Sequence, residues 1–156
     1  MKNRIFAALL CLVLALVGMV SSVEAADSGE LIQISEEEVW EILNENSGGI
    51  RPFALSTTTF KISKKDSKLY VGWTIKSTTV SSEIGVENLK VQQYKNGAWS
   101  TISTASYSSS NTSMHSSGCY YASAKSGTKY RATGTAYTID NGTKKTLSVT
   151  TSELTF

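Results

Sequence analysis

His115 is the one histidine of the 156-residue chain, and it lies in Ser113-Met114-His115-Ser116-Ser117, a setting of hydroxyls beside the side chain that titrates nearest neutral pH. A serine nucleophile needs that imidazole held by a third, acidic group, and the carboxylates of the same region, Asp66 and Asp140, fall in segments that read as turns. His115 is therefore expected to be an exposed loop residue, and no catalytic residue and no enzyme are expected. Cys119 lies in Gly118-Cys119-Tyr120-Tyr121, an apolar run that reads as a strand, so it is expected to be a small buried hydrophobe rather than a nucleophile. Metal and cofactor chemistry find no footing. One histidine, one cysteine outside the leader and carboxylates gathered on one helix make no zinc set. Glu36-Glu37-Glu38 lacks the spaced ligands and turn glycine of a calcium loop. No glycine-rich phosphate loop follows a strand and opens a helix.

The elements that could position a site begin after an export signal. Lys2 and Arg4 precede an uncharged apolar run from Ile5 to Val20, followed by Ser21, Ser22 and the small-residue site Val23-Glu24-Ala25. This is the three-part layout of a secretory signal peptide over residues 1–25. The expected product is secreted, extracellular or non-covalently associated with the cell wall, and free of the membrane after cleavage. Cys119 is then its one cysteine, so no intrachain disulfide can brace it.

The formal charge of +2 conceals a division. Residues 26–50 carry Asp27, Glu30, Glu36, Glu37, Glu38, Glu41 and Glu45 and no cation, a charge of −7; residues 51–156 carry 13 basic and 5 acidic groups, a charge of +8. The acidic segment also holds the start signals of a helix. Ser35 can cap it, Glu38 completes a capping box, and Ile34 can staple against Val39. Glu36, Glu37 and Glu38 occupy the first turn, where the helix dipole favours anions. Val39, Trp40, Ile42 and Leu43 give it an apolar stripe, and Asn46-Ser47-Gly48-Gly49 should stop it. A helix of about 11 residues needs a partner surface in water. The charge division predicts that this surface is the chain's own basic part.

From residue 51 onward Ser and Thr supply 37 of 106 residues, and apolar residues recur at period two. Phe60 and Ile62 mark one strand; Leu69, Val71, Trp73 and Ile75 alternate with Tyr70, Gly72, Thr74 and Lys76 along the next. Leu89–Lys95 and Ala98–Ile102 flank Asn96-Gly97, the strongest short hairpin signal. The Ser-rich stretch 103–117 is too poor in apolar residues for a strand pattern and reads largely as a loop. Strands are expected again at Met114–Ala122, Lys129–Ile139 and Thr146–Phe156, with a turn at Asp140-Asn141-Gly142-Thr143. The result is a mainly β protein, a seven-stranded antiparallel β-sandwich over residues 51–156 preceded by a signal peptide and one short amphipathic helix within 26–50.

Trp73 on the second strand, Gly127-Thr128-Lys129-Tyr130-Arg131-Ala132 ahead of the sixth, and the closing hairpin at Asn141-Gly142 resemble the fibronectin type III layout of the immunoglobulin-like sandwiches. The resemblance covers about residues 53–156. It implies a tyrosine corner in which Gly127 precedes Tyr130 and the Tyr130 hydroxyl bonds backbone a few residues upstream. The family's prolines are absent, and Ala132, Gly134 and Ala136 stand where large aliphatics are usual. Small residues there leave room that Trp73 on the facing sheet is expected to fill. In layout the chain is also similar to small secreted proteins of uncharacterised families in Gram-positive bacteria, which implies no activity.

With those strands placed, Lys90, Gln92 and Tyr94 are expected to face outward on one strand, and Lys129, Arg131 and Tyr137 on another of the same sheet. Cations, amides and aromatic rings on one face suit an anionic cell-envelope polymer or a glycan. The basic residues are too sparse for nucleic acid. The expected function is that of an exported, non-enzymatic binding or interaction domain. The alternative is a small secreted inhibitor or effector that engages a protein partner through residues 26–50.

Overall fold

A computed structural model of the chain describes residues 29–44 and 55–156. The leader over residues 1–25 and the helix stop at 46–49 lie outside the described residues. Among those described, the order is β1 (Leu31–Gln33), α1 (Glu36–Asn44), β2 (Leu55–Lys65), β3 (Lys68–Lys95), β4 (Ala98–Tyr121), β5 (Lys129–Asp140), β6 (Thr143–Thr150) and β7 (Leu154–Thr155). All seven strands join one antiparallel sheet.

The spine of the sheet is a single long hairpin. β3 and β4, 28 and 24 residues, meet at Asn96-Gly97, whose φ angles of 53° and 81° are those of a two-residue type I′ turn. Asp66-Ser67 and Asn141-Gly142 close the β2–β3 and β5–β6 hairpins with positive φ at both central residues as well. The near half of this ribbon, Leu69–Lys76 with Met114–Tyr121, is flanked by β2 and β1. The far half, Ser81–Lys95 with Ala98–Thr112, is flanked by β5, which also carries β6 and β7.

Between the halves the ladder breaks. Lys76 pairs Met114 and Ser81 pairs Thr112, so 77–80 form an excursion on β3, Val80 is 68% exposed, and Asn111 opposite takes a φ of 54°. Irregularities of this kind bend a strand and sharpen its twist. The bend lets Leu69, Val71, Trp73 and Ile75 share one core with Ile84, Val86, Leu89, Val91, Tyr130, Ala132 and Ala136. The inward phase shifts accordingly: odd positions from Leu69 to Ile75, even at Ile84 and Val86, odd again at Leu89 and Val91. A second shift at Glu87-Asn88 puts Gly134 against the extra residues. A Cβ there would lie 3.0 Å from Val86 Cγ1 and 3.5 Å from Leu89 Cα.

Two expectations are corrected by this ribbon. Residues 103–113, expected largely as loop, are strand, because their backbone pairs with β3 on either side of the bend. The segments expected as separate strands at 69–76 and 89–95 are one strand, as are 98–102 and 114–122; six strands lie in 55–156, and the seventh, β1, comes from the acidic segment, where only a helix was expected. The closing stretch 146–156 is divided at Thr151, whose N–H donates to Ala132 O and whose hydroxyl accepts the Ala132 N–H, both at 2.9 Å.

The helix docks on the near half, on the face opposite the core. Ser35 N donates to Glu38 Oε2 at 3.1 Å and Glu38 N to Ser35 Oγ at 3.4 Å, the reciprocal bonds of a capping box. Val39, Ile42 and Leu43 are buried with Ile34 and Tyr70. Their seat is made of two glycines in register, Gly72 and Gly118. A Cβ on Gly118 would come within 2.8 Å of Ile34 Cδ1, and one on Gly72 within 3.4 Å of Ile42 Cγ2. Lys61 Nζ donates to Leu43 O at 2.7 Å, a cation at the helix C-terminus, and Lys65 pairs with Glu41. The acidic segment thus docks on the chain's own sheet through an apolar seat, with Lys61 and Lys65 at its margin.

Candidate functional site

The residues expected to face outward divide into three groups along the far half. Gln92 and Arg131 sit in register on β3 and β5, and Arg131 Nε donates to Gln92 Oε1 at 2.8 Å. Gln92 Nε2 in turn donates to Thr101 Oγ1 at 3.3 Å. The Arg131 guanidinium lies 4.3 Å over the ring of Trp99, and Tyr94 packs against the same ring at 5.2 Å between centroids. Tyr94 remains 43% exposed. Side by side at the tip of the ribbon are thus two aromatic rings, a guanidinium oriented by an amide, and that amide's hydroxyl partner.

Trp99 belongs to this cluster and is absent from the residues picked by sequence reasoning. The signal was present, because a two-residue turn at Asn96-Gly97 places Trp99 directly opposite Tyr94 on the same face. Lys90 lies one outward position along, exposed, with Thr104 and Thr133 as its neighbours on either side. Lys129 stands apart at the start of β5, 3.7 Å from Glu153.

Tyr137 faces outward but is not exposed; it is 7% accessible, which corrects its assignment to an open face. It lies opposite Gly85, its hydroxyl donates to Glu83, and Lys144 Nζ sits 4.5 Å over its ring while pairing with Glu87 at 2.6 Å. Burial, with the bond to Glu83, raises the phenol's pKa, and the bonds from Tyr137 and Ser108 lower that of the Glu83 carboxyl. This end of the face is internally paired.

Of the residues read as structural, Trp73 is fully buried. Its ring is 5.1 Å from Tyr107 and 6.4 Å from Phe60, in the cluster that also holds Ala132 and Ala136. Gly127 has a φ of 76°, and the Tyr130 hydroxyl accepts the Lys125 N–H at 2.9 Å. Its ring meets Phe156 edge-on.

His115 is not in a loop and not exposed. It faces the core from β4 opposite Ile75, 5% accessible and 6.3 Å from the Trp73 ring. Its Nδ1 lies 2.9 Å from Ser109 Oγ across the bend, and Nε2 is buried without a hydrogen-bond partner among the described residues. Burial lowers its pKa from 6.5. An imidazole neutral when folded and titrating normally when unfolded stabilises the fold fully above about pH 6.5, and that contribution is lost as pH falls through 6.5 toward the depressed value. The urea midpoint is therefore expected to fall between about pH 7.5 and pH 5, and His115→Leu to flatten that slope. Equal slopes in the two proteins would assign the acid sensitivity elsewhere.

Cys119 is fully buried beside Tyr107, and burial pushes its thiol up to about 12, far from the reactive range. Among the described residues no three His, Cys, Asp or Glu side chains gather as metal ligands. Comparison of the chain with family models, with curated proteins and with solved structures finds no match.

Proposed function

We propose that this is an exported, non-enzymatic binding domain that holds a glycan or anionic cell-envelope polymer on the outer face of the far half-sheet. The observation that carries the reading is the Arg131 guanidinium, stacked on Trp99 and oriented by Gln92, beside the exposed Tyr94 ring. A pyranose ring packs its apolar face on such aromatic surface. A guanidinium whose Nε is already engaged offers its terminal nitrogens to a carboxylate or phosphate in a fixed plane. Lys90 and the hydroxyls of Thr104 and Thr133 extend the strip toward a longer polymer.

The same reading takes the two halves of the sheet as the layers of a fibronectin type III-like sandwich. The shared core and the Tyr130–Lys125 bond support it. Secretion rests on the sequence of residues 1–25. The inhibitor alternative is less favoured by the docked helix, whose apolar stripe is occupied by its own sheet, leaving Trp40 and carboxylates for any partner.

Cosedimentation with purified Gram-positive cell wall tests the proposal. Binding is expected to weaken as salt rises from about 50 to 500 mM. Trp99→Ala and Arg131→Gln are each expected to weaken it about tenfold or more, and Lys90→Gln less; each change of 1.4 kcal/mol is a factor of ten. Binding that is indifferent to Trp99 and Arg131, or retained by a peptide of residues 26–50 alone, would overturn it.

A further inference from the structure

We propose that the protein forms a closed two-fold dimer in which the free edge of β4 pairs antiparallel with the same edge of a second copy. Among the described residues the far half of β4 has a neighbour on one side only: it pairs β3 along 98–112, while on the other side β1 pairs Cys119–Tyr121 and the Ile34 N–H donates to Gly118 O, all in the near half. Open strand edges carry unpaired N–H and C=O groups, and proteins that stay single guard them with lysine, proline or very short strands. The other edges of this sheet are guarded in those ways. β2 carries Lys61, Lys64 and Lys65, β6 carries Lys144 and Lys145, and β1 and β7 are three and two residues long. β4 has no Asp, Glu, Lys, Arg or Pro in 24 residues. Its run from Ser103 to Ser110 lies between the irregularity at Ile102 and the positive φ at Asn111, and adds no extra residue of its own.

A second copy of this strand is the partner that fits. Two copies of an uncharged strand bring no like charges together, whereas either lysine-bearing edge set against its own copy would. With one long unguarded edge among the described residues of each chain, pairing is isologous and stops at two; an open filament would need a second edge. A two-fold axis perpendicular to the sheet at Ser106 sets Thr104 of one copy opposite Ser108 of the other and keeps the outer faces on the same side. The two Arg131–Trp99 clusters then lie on one continuous surface, although the dimer does not depend on what that surface binds.

Sedimentation equilibrium of the purified protein over a hundredfold range of concentration tests this. The weight-average mass is expected to rise from one chain to two and no further. Ser106→Lys sets two ammonium groups against each other at the axis and is expected to weaken dimerisation at least tenfold. Because it also removes the hydroxyl that accepts the Asn88 N–H at 3.2 Å, Ser106→Ala, which removes that bond without adding charge, is the control and is expected to keep the dimer. Ser110→Lys is a second variant, in which the new ammonium faces Glu83 across its own hairpin, and is expected to act in the same direction. Ser148→Lys, the same charge change on β6, is expected to leave the dimer intact. One chain at every concentration, growth beyond two, or a dimer equally sensitive to Ser148→Lys would each overturn the proposal.

Discussion

Trp73→Ala is expected to destabilise the protein by about 3–5 kcal/mol, the range for removing a large aromatic from a packed core. The ring is fully buried where the near half of the sheet meets the far half, against Tyr107 and Phe60 and next to His115. Its loss leaves a void that neighbours on two differently oriented half-sheets cannot fill by a shared movement. A loss of that size lowers Tm by roughly 10–20 °C in a domain of this length. Trp73→Phe, which keeps a ring against Tyr107, should cost less. Thermal unfolding followed by circular dichroism checks this, and a Trp73→Ala variant within about 1 kcal/mol of the parent would mean that the two halves do not close on this residue.

Gly85→Ala is expected to be as damaging for the opposite reason. A Cβ at that position would lie 2.2 Å from the Tyr107 carbonyl oxygen and 2.8 Å from Ser108 Cα, and both obstacles are backbone of the paired strand. No rotamer relieves such a contact, so β3 and β4 must part or shift, at about 3 kcal/mol, the upper end of overpacking. Gly97→Ala is the informative comparison. There a Cβ meets nothing, and the cost is only that of a φ of 81°, about 1–2 kcal/mol. Urea midpoints in which Gly97→Ala is the more harmful of the two would contradict the close approach at Gly85.

What could be read beforehand follows a physical line. The capping box, the three hairpin turns and the alternation of Leu69, Val71, Trp73 and Ile75 are local signals, and local geometry determined them. The strand over 103–113 is not legible in the sequence because its partner, not its apolar content, holds it in place. It pairs with β3 through backbone, and most of its side chains are Ser and Thr, which carry no apolar alternation. His115 was misplaced for the same reason. Counting back from Cys119 through Ser117 by twos does bring it to the core face, but only once the segment is known to be extended. At the candidate site, Gln92, Tyr94 and Arg131 came from alternation, whereas Trp99 required the register of the turn. The burial of Tyr137 required knowledge that β6 would bring Lys144 over it.

The shifts of phase along β3 set a rule for which changes in chain length the gene can absorb. Each irregularity in the ladder restores the inward direction after the previous stretch has fallen out of step, so the number of residues between Trp73 and Val91 matters more than their kinds. Substitution among Ser and Thr on the outer face leaves every core side chain where it is. Inserting one codon within the regular run Leu69–Ile75 turns the residues beyond it over, whereas deleting one at Glu87-Asn88 removes the extra residue there and leaves Leu89 two positions from Val86 and facing inward. The tip of the ribbon is no freer, because the two-residue length of the Asn96-Gly97 turn is what sets Trp99 opposite Tyr94.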